Sequence, residues 1–194
     1  QKAEAPPAPS PATAAAPRKE PYRIAAVAYI ESVPTEESTS GFLRGLKEAG
    51  LEEGRDFIWN YRSAQGDLSL LSTLFAAVER DRPDLVAVFS TPTLQNAIKR
   101  LKNLPIVFAL VADPVAAGAG KSMTDHHPDV TGVSVIGAYD QVAELIATHY
   151  PQWKKVGALF TPAEENSVIT NHLFKEAVER RGLTLVSVPV NQSS

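Results

Sequence analysis

The chain has 194 residues, 44% apolar and 21% charged, with no cysteine and a net charge of -3 from 22 acids and 19 bases. These values suit a globular protein of one domain or two small ones. They exclude disulfides, thiolate nucleophiles and cysteine-based metal centres, and they leave no basic stripe for nucleic acid or an anionic membrane surface.

Residues 1–21 hold seven Ala and six Pro and none of Leu, Ile, Val or Phe. Such a segment cannot bury enough surface to offset its ordering entropy, so an extended, mobile linker is expected there. It reads either as a plain terminus or as a spacer from an upstream anchor, and the first residue, Gln1, reads as a processed or cut start. Regular patterning begins after Tyr22. Arg23–Ile30 is a mostly apolar run, as a buried parallel strand would be. Ser38–Gly50 carries Phe42, Leu43, Leu46 and Ala49 at helical spacing, with Gly50 as its stop. Asp56–Arg62 is a strand. Leu68–Arg82 is a helix with Leu71, Leu74, Phe75 and Val78 on one face, and Pro83 follows it. Asp84–Phe89 is a strand and Thr91–Lys102 a helix with Pro92 at its first position. Pro105–Val111 is a strand, and the apolar run to Ala112 is too short to span a membrane. A long loop leads to the short strand Val130–Val135. Ala138–His149 is a helix, Lys155–Phe160 a strand, Ala163–Arg181 a helix and Leu183–Val188 a strand.

Strands alternating with helices read as βαβ units, hence as parallel sheets covered on both faces. The fold class is therefore α/β. Five strands precede Gly137 and two follow Trp153. The expected organisation is a complete doubly wound lobe over 22–136 and the first part of a second α/β lobe over 137–194. Two strands do not make a stable sheet alone, so Val156, Ala158, Leu185 and Val186 are expected near an unpaired edge.

Several chemistries lack their motifs. The turn after the first strand has no glycine fingerprint for a dinucleotide. Gly118-Ala-Gly120-Lys121-Ser122 has Val115 where a phosphate loop needs glycine. The third strand ends in Ser90-Thr91, not in a phosphoacceptor aspartate, and no GxSxG elbow exists. His126 and His127 read as a solvated loop rather than metal ligands. Glu164 and Glu165 read as first-turn acids meeting a helix dipole. No cofactor and no metal are expected, and no catalytic group assembles.

In open parallel sheets, ligands bind beyond the carboxyl ends of the strands. Ser90, Thr91 and Thr93 stand where a strand passes into a helix. Their hydroxyls and N–H groups suit a carboxylate, and ordinary N-capping by Thr91 is equally open. Asp113 could receive an ammonium or a hydroxyl, or serve as an Asp-Pro turn residue. Thr161, Asn166 and Ser167 would face these groups across a crevice. Ile30, Glu31 and Gln65 end the neighbouring strands and complete the wall.

The run Gly41-Phe42-Leu43-Arg44-Gly45-Leu46-Lys47-Glu48-Ala49-Gly50 resembles the ABC-transporter substrate-binding proteins typified by tryptophan- and aromatic-amino-acid-binding members. So do Glu53-Gly54-Arg55-Asp56, Tyr61-Arg62-Ser63-Ala64-Gln65-Gly66-Asp67, Ser90-Thr91-Pro92, and Ala112-Asp113-Pro114. Val130-Thr131-Gly132-Val133-Ser134, Lys155-Val156-Gly157 and Phe160-Thr161-Pro162 continue the match. The sequence departs from that pattern at Glu31, at Asp125–Asp129 and at Thr161. The resemblance implies a type I periplasmic-binding-protein-like fold whose two lobes close on a small-molecule solute, best an amino acid, aromatic in several relatives. It also implies a non-enzymatic, monomeric, extracytoplasmic lipoprotein, anchored through an upstream residue and delivering solute to an ABC permease. An extracytoplasmic sensory domain of a signalling protein is the alternative. Relatives continue for about one more lobe of typical domain size.

Overall fold

The computed structural model describes residues 20–190, so the expected linker over 1–21 lies almost wholly outside the described residues. Within them the elements run β1 (Tyr22–Ala28), α1 (Val33–Glu48), β2 (Phe57–Ser63), α2 (Leu68–Asp81), β3 (Leu85–Phe89), α3 (Thr91–Arg100), β4 (Ile106–Val111), β5 (Val130–Ser134), α4 (Tyr139–His149), β6 (Lys155–Phe160), α5 (Glu165–Glu179) and β7 (Thr184–Pro189). Strands β2-β1-β3-β4-β5 form one sheet, and β6-β7 form another. All the strand pairs are parallel.

The first sheet is apolar on both faces because both are covered. On one face Val27, Val86, Val88, Ile106 and Phe108 pack with Leu71, Phe75 and Val78 of α2 and Leu94 and Ala97 of α3. On the other, the small residues Ala26, Ala28 and Ala87 lie with Phe89 under Phe42 of α1. The Phe42 ring stands 5.4 Å from Trp59 and 6.5 Å from Phe89, the second contact edge-on.

Two element boundaries differ from the sequence reading. Helix α1 begins at Val33, a full turn before Ser38, because Ser32 caps it through the Thr35 N–H. That first turn carries no apolar period, so a hydrophobic pattern misses it. Strand β1 ends at Ala28, which leaves Tyr29 and Ile30 in the turn rather than in the ladder.

The second sheet has its helices on one side. Ala143 of α4, Ala177 and Val178 of α5, Leu183 and Leu185 form its core, with Val156 and Ala158 packed against them. Three of the four residues expected at an exposed edge therefore pack inward. The uncovered surface is the opposite face, where Leu159 is 73% exposed and Val186 and Val188 are each 44% exposed. Helices α4 and α5 are tied by Asp140, whose Oδ1 accepts from Arg180 at 2.8 Å and from Arg181 at 2.9 Å. These guanidinium groups hold the Asp140 carboxyl far below its ordinary pKa.

Strand register decides what lies together. Ala28 pairs with Ser63 on one side and with Phe89 on the other. The residues that follow, Tyr29, Ala64 and Ser90, thus leave the sheet at one edge. Thr161 follows β6 and opens the way into α5, which touches α3 of the first unit.

Candidate functional site

The junction of β3 and α3 is the most constrained point of that edge. Ser90 has φ 141, a left-handed value costly for any side chain, on the order of 1–3 kcal/mol. Its carbonyl accepts from Leu94 N at 3.1 Å and from Thr93 Oγ1 at 2.9 Å, and these bonds hold the conformation. Ser90, not Thr91, is the N-cap, its Oγ accepting from Thr93 N at 3.5 Å. That corrects the capping role the sequence offered for Thr91, and Pro92 stands second in the helix rather than first. Relieved of capping, Thr91 is 1% exposed and its Oγ1 has no hydrogen-bond partner. Thr93 is fully buried, with its hydroxyl given to the turn.

In the second unit, α5 opens with Glu165 and Asn166. The Ser167 hydroxyl accepts from Thr161 N at 2.8 Å, which folds the end of β6 back onto the first turn of α5. Asn166 Oδ1 is buried without a partner. Among the described residues, three side-chain polar atoms share that condition: Thr91 Oγ1, Asn166 Oδ1 and Arg62 Nη1. Two of the three thus lie in the first turns of the facing helices. Buried polar atoms are ordinarily satisfied, so these orphans are exceptions that call for a partner.

The remaining candidate residues stand further out. Asp113 Oδ1 accepts from Ala116 N at 2.9 Å, which is the turn role foreseen for it. Glu31 Oε1 accepts from Tyr61 Oη at 3.1 Å on the exposed rim. Burial first, then the bond and charge of Glu31, push the Tyr61 phenol up to about 12. Ile30 is 48% exposed, and exposed Gln65 has φ 53, its N–H donating to Ser63 Oγ at 3.1 Å.

Tyr29, which the sequence reading did not single out, meets Glu164, which it read as a first-turn acid. Tyr29 is 5% exposed and donates to Gly66 O at 2.7 Å. Its Oη also lies 3.5 Å from Glu164 Oε1, a contact between the two units. Burial, then the Glu164 charge and contact, then Asp67, push this phenol up to about 12. The available signal was a tyrosine ending an apolar strand, since a buried phenol needs a polar partner.

A small cavity of about 90 Å³ lies elsewhere, between β4, β5 and the loop after β4, lined by Phe108, Val115, Met123 and His126. Exposed His126 offers Nδ1 to His127 O at 3.0 Å, as a loop histidine does. Among the described residues no group of three or more His, Asp or Glu is placed to hold a metal ion. No helix among them is long and apolar enough to cross a membrane.

Comparison with known proteins bears on the chain as a whole. A family model described as "ABC transporter substrate binding protein" matches residues 23–194. A tyrosine-binding protein of Clostridioides difficile (strain R20291) is 28% identical over 165 residues, 85% of this chain and 48% of that protein. The crystal structure of an ABC domain in complex with L-Trp from Streptococcus pneumoniae superposes with TM-score 0.83 at 28% identity, covering 88% of this chain and 58% of that one. The ligand-free, open structure of a substrate-binding protein with adhesive properties from Clostridium difficile gives TM-score 0.67 at 26% identity, with the same two coverages of 88% and 58%. The chain thus spans about half the length of these relatives.

Proposed function

Because the chain belongs to the family of ABC transporter substrate-binding proteins, we propose that it captures an amino acid between two lobes for import through an ABC permease. Its family is one of solute-binding proteins, not enzymes, and the mechanism is conformational. The lobes are residues 22–136 and the part of a second lobe over 137–194. Solute favours the closed arrangement because only there does it touch both walls.

The observation that carries this reading is the pair of unpartnered buried atoms, Thr91 Oγ1 and Asn166 Oδ1, at the facing N-termini of α3 and α5. Ser90, Thr91 and Thr93 receive the solute carboxylate, where hydroxyls, N–H groups and the helix dipole all favour an anion. Thr161, Asn166 and Ser167 form the opposite wall. Asp113 adds negative charge beside the first wall, and Ile30, Glu31 and Gln65 complete its rim. An amino acid with an aromatic side chain fits the solutes named for two relatives, tyrosine and L-Trp. The protein works outside the cytoplasm, as a lipid-anchored monomer.

The test is a thermal-shift screen of amino acids and small organic acids, since a ligand that binds only the folded state must raise its stability. Aromatic amino acids are expected to raise the melting temperature, and neutral sugars to leave it unchanged. A screen in which no amino acid shifts the transition overturns the reading.

A further inference from the structure

We propose that Tyr29 is a positioning residue: anchored on the Gly66 turn of the first unit, its hydroxyl holds Glu164, and with it the start of α5, so that the two units are drawn together before any solute arrives. The assignment rests on the reading of two lobes that close on a solute, and it names what sets their spacing when solute is absent.

The argument starts from how firmly each end of the contact is fixed. Tyr29 directly follows β1, which runs between β2 and β3. It grips Gly66 twice. Its carbonyl accepts from Gly66 N at 2.8 Å, and its hydroxyl donates to Gly66 O at 2.7 Å. Gly66 has φ 85, a conformation that glycine adopts without strain. Asp67, the next residue, caps α2 through Ser69 N. At 5% exposure the Tyr29 ring belongs to the main apolar core. A phenol so held cannot swing to follow a moving partner.

The other end is fixed as well. Glu164 N donates to Thr161 O at 3.1 Å, and Glu164 O accepts from Ser167 N at 3.0 Å and Val168 N at 3.1 Å. Glu164 is the N-cap residue of α5, yet its side chain makes no capping bond to its own helix. Its Oε1 instead lies 3.5 Å from Tyr29 Oη, across 135 residues of chain. The units also touch where α3 meets α5, and the phenol adds a polar tie to that contact. Hydrogen bonds weaken steeply with distance and angle, so a small rotation of one unit breaks a bond whose two ends cannot follow. At 3.5 Å, and shared with Gly66 O, the bond is weak. A weak tie biases the equilibrium between two arrangements and still lets the units part. Burial and the Glu164 charge also keep the phenol protonated far above neutral pH, so it remains a donor.

The experiment reads the spacing of the units directly. The chain has no cysteine, so Glu37→Cys on α1 and His172→Cys on α5, both exposed, accept a pair of spin labels without competition. Pulsed dipolar spectroscopy then gives the distances between the units. Without solute, Tyr29→Phe and Glu164→Ala in this background are each expected to shift the distribution to longer distances; if one variant folds poorly, the other decides. The double variant is expected to do no more than either, because the two changes remove one shared bond. Tyr61→Phe, which removes the exposed phenol bond to Glu31 inside the first unit, is expected to leave the distances unchanged. With L-tryptophan or L-tyrosine at saturation, wild type and variants are expected to reach the same distribution. The variants should need about two- to tenfold more solute to do so, the factor by which the binding-competent fraction falls. Solute-free distances unchanged in both Tyr29→Phe and Glu164→Ala, or changed as much by Tyr61→Phe, overturn the assignment while the solute-binding reading stands. If the wild type binds neither amino acid, the aromatic amino-acid reading fails, and the solute-free distances still decide the role of Tyr29. If solute binds without altering the wild-type distances, closure of the lobes fails and takes this assignment with it.

Discussion

Thr91 is buried to 1% exposure with an unpartnered hydroxyl, and the binding role proposed for it can be tested apart from folding. A residue kept for stability would have its hydroxyl bonded, since an unsatisfied buried group costs about 1–3 kcal/mol. Thr91→Val keeps the shape and removes the oxygen. Chemical denaturation is expected to find stability unchanged or slightly raised, while solute affinity falls by roughly 5- to 150-fold, the equivalent of the same 1–3 kcal/mol. Normal affinity in this variant would place the carboxylate elsewhere. Tyr29 makes a second prediction, through pH. Its folded-state pKa is raised from 10.0 to about 12, so folding favours the neutral phenol. The associated stability is fully present below pH 10 and is lost as pH rises through 12. Tyr29→Phe cannot ionise there. The stability difference between wild type and Tyr29→Phe is expected to change between pH 10 and 12 and to be flat from pH 7 to 9; a flat difference throughout would mean the phenol is not held by burial and Glu164.

At the level of elements, the two sheets differ in how they are closed. The five-stranded sheet has α2 and α3 on one face and α1 on the other, and its central strands β1 and β3 are buried from Ile24 to Ala28 and from Val86 to Phe89. The β6–β7 pair is covered on one face only, leaving Leu159, Val186 and Val188 open on the other. Parallel strands ordinarily need both faces covered. Native-state hydrogen exchange is therefore expected to show the strongest protection in β1, β3 and β4 and markedly weaker protection in β6 and β7. Uniform protection along the chain would mean that the α4–α5 side alone stabilises the second sheet as well as two covered faces stabilise the first.

For the whole molecule, the proposed crevice draws its two walls from different sheets. The chain passes from the first unit to the second between β5 and α4, at Val135–Ala138, and the two units touch at Tyr29 and Glu164. A solute held by both walls couples them. At a hundredfold excess over Kd it is expected to stabilise the folded chain by about 2.7 kcal/mol, and the gain should extend to β6 and β7 in hydrogen exchange. Stabilisation confined to the first unit would mean that the solute touches one wall only.

What the sequence by itself determined is the order and kind of the elements. Apolar runs such as Ile24–Ala28 and helical spacing such as Leu71, Phe75 and Val78 are local patterns, imposed by burial on two faces or on one. The rule that ligands gather at strand ends pointed to Ser90, Thr91 and Asn166 as candidates without coordinates. What only the tertiary structure decided is which hydroxyl caps a helix and which is left over. Ser90 and Thr91 are neighbours with interchangeable chemistry, and the φ of 141 at Ser90 assigns capping to one and frees the other. The same holds for Tyr29 and Glu164, which stand 135 residues apart in the chain. No local pattern relates them, because their meeting depends on how a second sheet is set against the first.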